Sequence, residues 1–161
     1  MSIQLRQAVP DDLPEILALL EESSLPRAGV EPALEHFIVA LRDDRLVGVV
    51  GFEPYGTHAL LRSAAVRSSE QGSGVGRALV EQLLGAAERT GVRDIYLLTT
   101  TAQRWFLRFG FEEVSRDAVP AAVRQSVEFN GACPDSAVVM RRNVRAEERI
   151  PGIPDDRRET R

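Results

Sequence analysis

The sequence predicts a mixed α+β domain: a central mixed sheet with helices on both faces, in the order β-α-α-β-β-β-α-β-α-β-β. Three observations predict it. Two apolar, β-branched runs, 36–41 and 46–52, flank Arg42-Asp43-Asp44-Arg45, which reads as a hairpin. Val75, Leu79, Leu83 and Ala86 repeat at helical spacing and mark an amphipathic helix over 75–89, ended by Gly91. Residues 95–99 are apolar almost throughout, the pattern of a strand covered on both faces. Antiparallel strands before the main helix exclude a doubly wound parallel sheet.

The remaining elements follow in order. Ile3 and Leu5 alternate with Gln4 and Arg6, a short strand. Pro10-Asp11-Asp12 opens a helix that carries Leu13, Ile16, Leu17 and Leu20 on one face. The stretch 23–29, with Pro26, breaks it, and a second short helix is expected from Glu31 to about Phe37. After the hairpin, 54–57 is a turn and 59–66 the next strand. Thr101 is placed to cap a helix over 102–109, which Gly110 ends. Strands are expected at 111–115 and 137–140, with 120–129 helical or irregular. Residues 1–144 form the domain, and the arginine- and glutamate-rich 145–161 is expected to be a disordered tail without chemistry.

Composition narrows the chemistry. The chain has 161 residues and a net charge of −4, so a basic nucleic-acid footprint is missing. All 20 basic residues are arginine, which excludes a phosphate-loop lysine or a Schiff-base lysine. Two histidines and one cysteine leave little material for a metal site. No stretch approaches the ~18 apolar residues of a membrane helix. The opening residues lack the apolar core of a secretion signal. With Cys133 alone, no internal disulfide can form, and a cytoplasmic location is expected.

The segment Gln71-Gly72-Ser73-Gly74-Val75-Gly76-Arg77 joins a strand to the best helix. Its glycines bare the backbone, and a helix start adds unpaired N–H groups and a positive dipole end. Together these suit phosphate oxygens, with Arg77 adding a charge-assisted bond. A dinucleotide-binding turn is the rival reading. It fails on context, because this turn lies mid-chain after a hairpin.

These residues resemble the pyrophosphate loop of the GNAT superfamily of N-acetyltransferases. Ala65-Val66 is similar to the end of that family's fourth strand, and Trp105-Phe106-Leu107-Arg108-Phe109-Gly110-Phe111 to its late aromatic helix end. The element order agrees over about residues 3–143. Residues 61–66, 97–102 and 119–124 running to Cys133-Pro134 resemble the branch found with arsenic-resistance genes, itself similar to amino-acid N-acetyltransferases.

The resemblance implies acetyl-CoA as cofactor and direct acetyl transfer to a small, amino-acid-like amine. It implies that Ala65, Val66 and Arg67 bond the pantetheine, that a backbone N–H near Val66 stabilises the oxyanion, and that Gln71, Gly72, Ser73, Gly74, Val75, Gly76 and Arg77 hold the pyrophosphate. Phe106 stands where many members carry a tyrosine acid, so water, Ser63 or Thr100 must protonate a thiolate that leaves readily. Glu53 is the candidate base, read as closing its strand before the Pro54 turn; its bland alternative is a solvated carboxylate, and His58 is a second candidate. Tyr55 is a candidate substrate contact. Arg62, with Ser63, Arg104 and Arg124, is a candidate for gripping a substrate carboxylate. The rival functions are an acyl-CoA-binding sensor and a weakly active protein acetyltransferase; a homodimer through exposed strand edges is allowed.

Overall fold

The computed structural model describes residues 3–144, and the expected tail lies outside the described residues. Seven strands form one sheet: β1 (Ile3–Gln7), β2 (Phe37–Arg42), β3 (Arg45–Tyr55), β4 (His58–Val66), β5 (Asp94–Thr99), β6 (Glu112–Val114) and β7 (Val138–Asn143). Their spatial order is β1-β2-β3-β4-β5-β7-β6, and only β4 and β5 run parallel. The helices are α1 (Leu13–Glu22), α2 (Val75–Arg89) and the short α3 (Gln103–Leu107). Short 3₁₀ turns fill Glu31–His36 and much of 116–129. Among the described residues no helix is long and apolar enough to cross a membrane.

Strand alternation divides the core. Ile38, Ala40, Val50, Phe52, Ala59 and Leu61 face Val75, Leu79, Val80, Leu83 and Ala87 of α2. Phe37, Val39 and Val49 face the other way, onto Ile16, Leu19 and Leu20 of α1. Leu60 and Tyr96 pack with Val119, Val123 and Val139, so the 119–129 segment continues the layer begun by α1.

Some limits differ from those the sequence suggests. Strand β3 runs on to Tyr55, with Glu53 opposite Leu60 and Pro54 opposite Ala59. Proline is tolerated there because the pairing of β2 with β3 reaches only to Gly51, opposite Phe37 where β2 begins, leaving that flank of β3 an edge. At α3 it is Thr99, not Thr101, whose hydroxyl accepts from the Ala102 N–H, at 2.9 Å.

One irregularity shapes the site. The β3–β4 register slips between Val49/Ala65 and Gly51/Arg62, placing one extra residue on β4, and Ser63 there has φ +63°. Such a bulge reverses the faces that later residues present. Before it, Leu61 packs toward α2; after it, Ala65 packs toward α1 and Val66 toward α2.

Candidate active site

The pairing of β4 with β5 covers only His58–Leu60 against Asp94–Tyr96, although β4 continues to Val66 and β5 to Thr99. Beyond Leu60 the two strands therefore part. The Arg67 N–H donates to the Val47 carbonyl at 2.8 Å. Bonding residues alternate along an antiparallel ladder, so Val66 turns its N–H and C=O away from β3, toward the gap. The Val66 carbonyl accepts from Gln71 Nε2 at 3.1 Å.

On the α2 side of the gap is a cavity of about 750 Å³, lined by Val66, Gly72, Gly74, Gly76, Arg77, Trp105 and Arg108 among others. Gly72 and Gly74 have φ of +85° and +95°, which glycine alone adopts freely. The first intrahelical bond of α2 is made by the Ala78 N–H, to the Gly74 carbonyl at 3.0 Å, so the amides before it carry no helical partner. At Gly76 a Cβ would lie 3.1 Å from the Trp105 ring. Arg42 grips Glu70 with two bonds, of 2.6 and 3.0 Å, which pins the turn before the glycines and neutralises the acid beside them. That pairing holds the Glu70 carboxyl below its ordinary range.

On the other side lies a cavity of about 530 Å³, lined by Ser23–Pro26, by 132–134 and by Arg62, Ser63, Thr100, Phe106 and Glu128 among others. The two cavities share Ala64, Ala65, Val66, Gln71, Thr101 and Ala102. Arg62, with a fully buried side chain, organises this region. Its Nη1 donates to Glu53 Oε2 at 2.7 Å, its Nε to Ser63 Oγ at 2.9 Å, and its Nη2 to the Ala28 and Pro26 carbonyls at 2.7 and 3.3 Å. Glu128 stands 3.5 Å from Nε. Tyr55 donates to Glu53 Oε1 at 2.6 Å; burial, then that bond, pushes its hydroxyl up to about 12. Burial pushes Glu128 up to about 7, and burial with the Glu128 charge pushes the Cys133 thiol up to about 12.

Of the residues singled out by sequence, Ala65, Val66 and Gln71 line both cavities, Gly72, Gly74, Gly76 and Arg77 the first, and Arg62, Ser63, Thr100 and Phe106 the second. Val75 is a core residue whose side chain packs with Leu79. The Ser73 hydroxyl turns back to the Glu70 carbonyl. Arg67 has its N–H on Val47, its carbonyl on the Glu70 N–H and its Nε on the Leu46 carbonyl, so it offers no backbone bond to a ligand. Arg104 and Arg124 are exposed and line neither cavity. Glu53 is not a solvated strand end: it is 8% exposed, has both oxygens engaged and lines neither cavity. Arg62 is likewise held by protein groups instead of standing open for a carboxylate. Trp105 and Arg108 belong to the aromatic stretch quoted for the resemblance but carry no site role in the sequence reading, and Glu128 is not singled out there; their positions at the cavities depend on packing between segments distant in sequence.

Comparison with known proteins agrees with this geometry. The chain is 27% identical over 149 residues to an amino-acid acetyltransferase of Neisseria meningitidis, covering 87% of this chain and 34% of that protein. The Vibrio vulnificus amino-acid acetyltransferase is 29% identical over 135 residues, 78% of this chain and 30% of that one. The chain thus spans about a third of the length of these relatives. N-acetylglutamate synthase of Neisseria gonorrhoeae, solved with coenzyme A and N-acetyl-glutamate, superposes with a TM-score of 0.77 at 25% identity, over 89% of this chain and 35% of that chain. A Mycobacterium tuberculosis protein solved with CoA shares the fold, with a TM-score of 0.72 at 21% identity over 87% of this chain and 98% of that one. The model of the acetyltransferase (GNAT) domain matches residues 33–113, half of the chain, from the second strand through α3. The chain belongs to the GNAT acetyltransferase family.

Proposed function

We propose that this chain is an acetyl-CoA-dependent N-acetyltransferase that passes acetyl directly to the amine of a small, amino-acid-like substrate. The observation that carries the reading is the parting of β4 from β5, with one cavity on each side meeting at Ala64–Val66. A long thioester fits this arrangement: free amides at the start of α2, with Arg77 and Arg108 beside them, suit its diphosphate, and the gap suits its narrow arm. When bound, acetyl-CoA would supply an activated carbonyl and a sulfur leaving group. The chain's part is to position and to stabilise charge. The Val66 N–H is directed at the gap, where it would bond the carbonyl oxygen. Ser63 and Thr100 line the acceptor side and are placed to relay a proton.

The acceptor cavity, about 530 Å³ and lined by Arg62, Ser63 and Glu128 among others, has room for a small amine. The relatives' names support an amino-acid-like acceptor. The single cysteine supports a cytoplasmic setting, and the resemblance of 61–66, 97–102 and 119–124 to the arsenic-linked branch supports a role beside arsenic-resistance genes. The edge strands β1 and β6 leave room for a second copy. Calorimetry with acetyl-CoA, followed by thiol release across a panel of amino acids and other amines, tests the reading. Gly74→Val is expected to weaken acetyl-CoA binding at least tenfold; unchanged affinity would remove the cradle, and no affinity in the native chain would remove the function.

A further inference from the structure

An acceptor ammonium must lose a proton before it can attack, and a base, or a water chain leading to one, is needed where the amine sits. Glu53 is excluded by geometry: Tyr55 and Arg62 occupy its two oxygens, and it lines neither cavity. We infer that Glu128 is the carboxylate that takes the proton from the incoming ammonium, with Arg62 fixing its position. This rests on the acetyltransferase reading above.

Glu128 is 4% exposed, yet it lines the acceptor cavity with Arg62, Ser63 and Cys133. Its backbone N–H donates to Ser126 Oγ at 3.2 Å, which anchors the 127–129 turn. Arg62 gives its short bonds elsewhere, to Glu53, Ser63 and two carbonyls, and reaches Glu128 only at 3.5 Å. A buried carboxylate without a short charge-assisted bond holds a proton more tightly than an exposed one. The groups facing it are Glu53 on β3, Arg62 on β4 and Cys133 beyond the turn, with Arg116 acting on Cys133. Burial and the Glu53 charge raise Glu128, Arg62 and Cys133 oppose them, and the outcome is about 7. A peptide's α-ammonium has an ordinary pKa of ~8 and that of a free amino acid is higher, so the transfer runs uphill and the raised proton affinity of Glu128 narrows the gap.

The step balances. The ammonium gives one proton to Glu128. The freed nitrogen lone pair forms the C–N bond as the C–S bond breaks, and the sulfur leaves with the electron pair. The nitrogen's surplus proton passes to that sulfur, and Glu128 releases its own to solvent.

Glu128→Gln is expected to lower kcat ~100-fold, the low end for a lost general base, with acetyl-CoA affinity by calorimetry unchanged. In the native chain kcat/KM should rise with pH through about 7; in the variant that limb should move to the acceptor's own pKa. Glu128→Asp, which keeps a carboxylate, should retain the limb at reduced kcat and covers the case in which the amide variant folds poorly. Two readouts need no turnover. A carboxyl raised in the folded state stabilises most at low pH and loses that contribution as pH rises through about 7. The native Tm should therefore fall more steeply between pH 5 and 8 than that of Glu128→Gln. Cys133 should also be alkylated faster in the amide variant, its negative neighbour gone. A Glu128→Gln protein that binds acetyl-CoA and keeps native kcat with the same limb overturns the inference, as do identical Tm slopes. A native protein that binds acetyl-CoA but releases no thiol with any amine overturns the acetyltransferase reading itself.

Discussion

Arg62 joins its own bulge, through Ser63, to three other segments: β3 through Glu53, the 26–28 loop through two carbonyls, and the 127–129 turn through Glu128. Removing one member of such a buried set strands the others. Arg62→Ala should destabilise the fold by ~3–5 kcal/mol in denaturant unfolding, because Glu53 is left charged and unpaired. Arg62→Lys should not restore it, since an ammonium cannot bond in all these directions at once. Gly29 belongs to the same unit: its φ is +83°, and a Cβ there would lie 2.8 Å from Arg62 Nη1. The sequence singles out Glu53, Tyr55, Arg62 and Ser63, and all four do cluster. It cannot tell which of them faces substrate, because that depends on which hydrogen bonds each has already spent inside the protein. Glu128 sits in a stretch without helical or strand periodicity, so nothing local marks it.

At the scale of elements, α2 has the limits that its apolar stripe predicts, Val75 to Arg89. Helical periodicity is local, and a 15-residue amphipathic run leaves little freedom. The bulge in β4 is not local: it exists because two halves of one strand must face two different layers while pairing with β3. Its counterpart is Gly51, where a Cβ would come within 2.5 Å of the Phe37 ring. Gly51→Ala should cost ~1–3 kcal/mol, read as a lowered denaturant midpoint at unchanged slope, because a fully buried Phe37 has nowhere to move. The extension of β3 through Pro54 escaped the sequence for a related reason. Proline argues against a strand only where both flanks are paired, and the start of β2 at Phe37, opposite Gly51, is a tertiary fact.

For the whole molecule, the mixed sheet and its helix-covered faces follow from the alternation of antiparallel runs with one strong helix, and these were legible, whereas the placing of β7 between β5 and β6 was not read from sequence. The opening between β4 and β5 is not legible in the runs themselves, since both strands read as continuous apolar runs. A ligand that fills it should hold the two halves of the sheet together. Coenzyme A at ~100 times its Kd would add ~2.7 kcal/mol to the folded state and raise Tm by ~5–10 °C for a chain of this size. A chain with an intact sheet but no such ligand would show no shift in differential scanning calorimetry. The N–H of Val66, turned from β3 and without a rung on its other side, leaves a place in the ladder that a peptide-like partner can complete. An arm that itself carries amide groups would then serve as a borrowed length of strand. Deuterium uptake at that amide should slow on loading, and the sheet would be whole only while the donor is aboard.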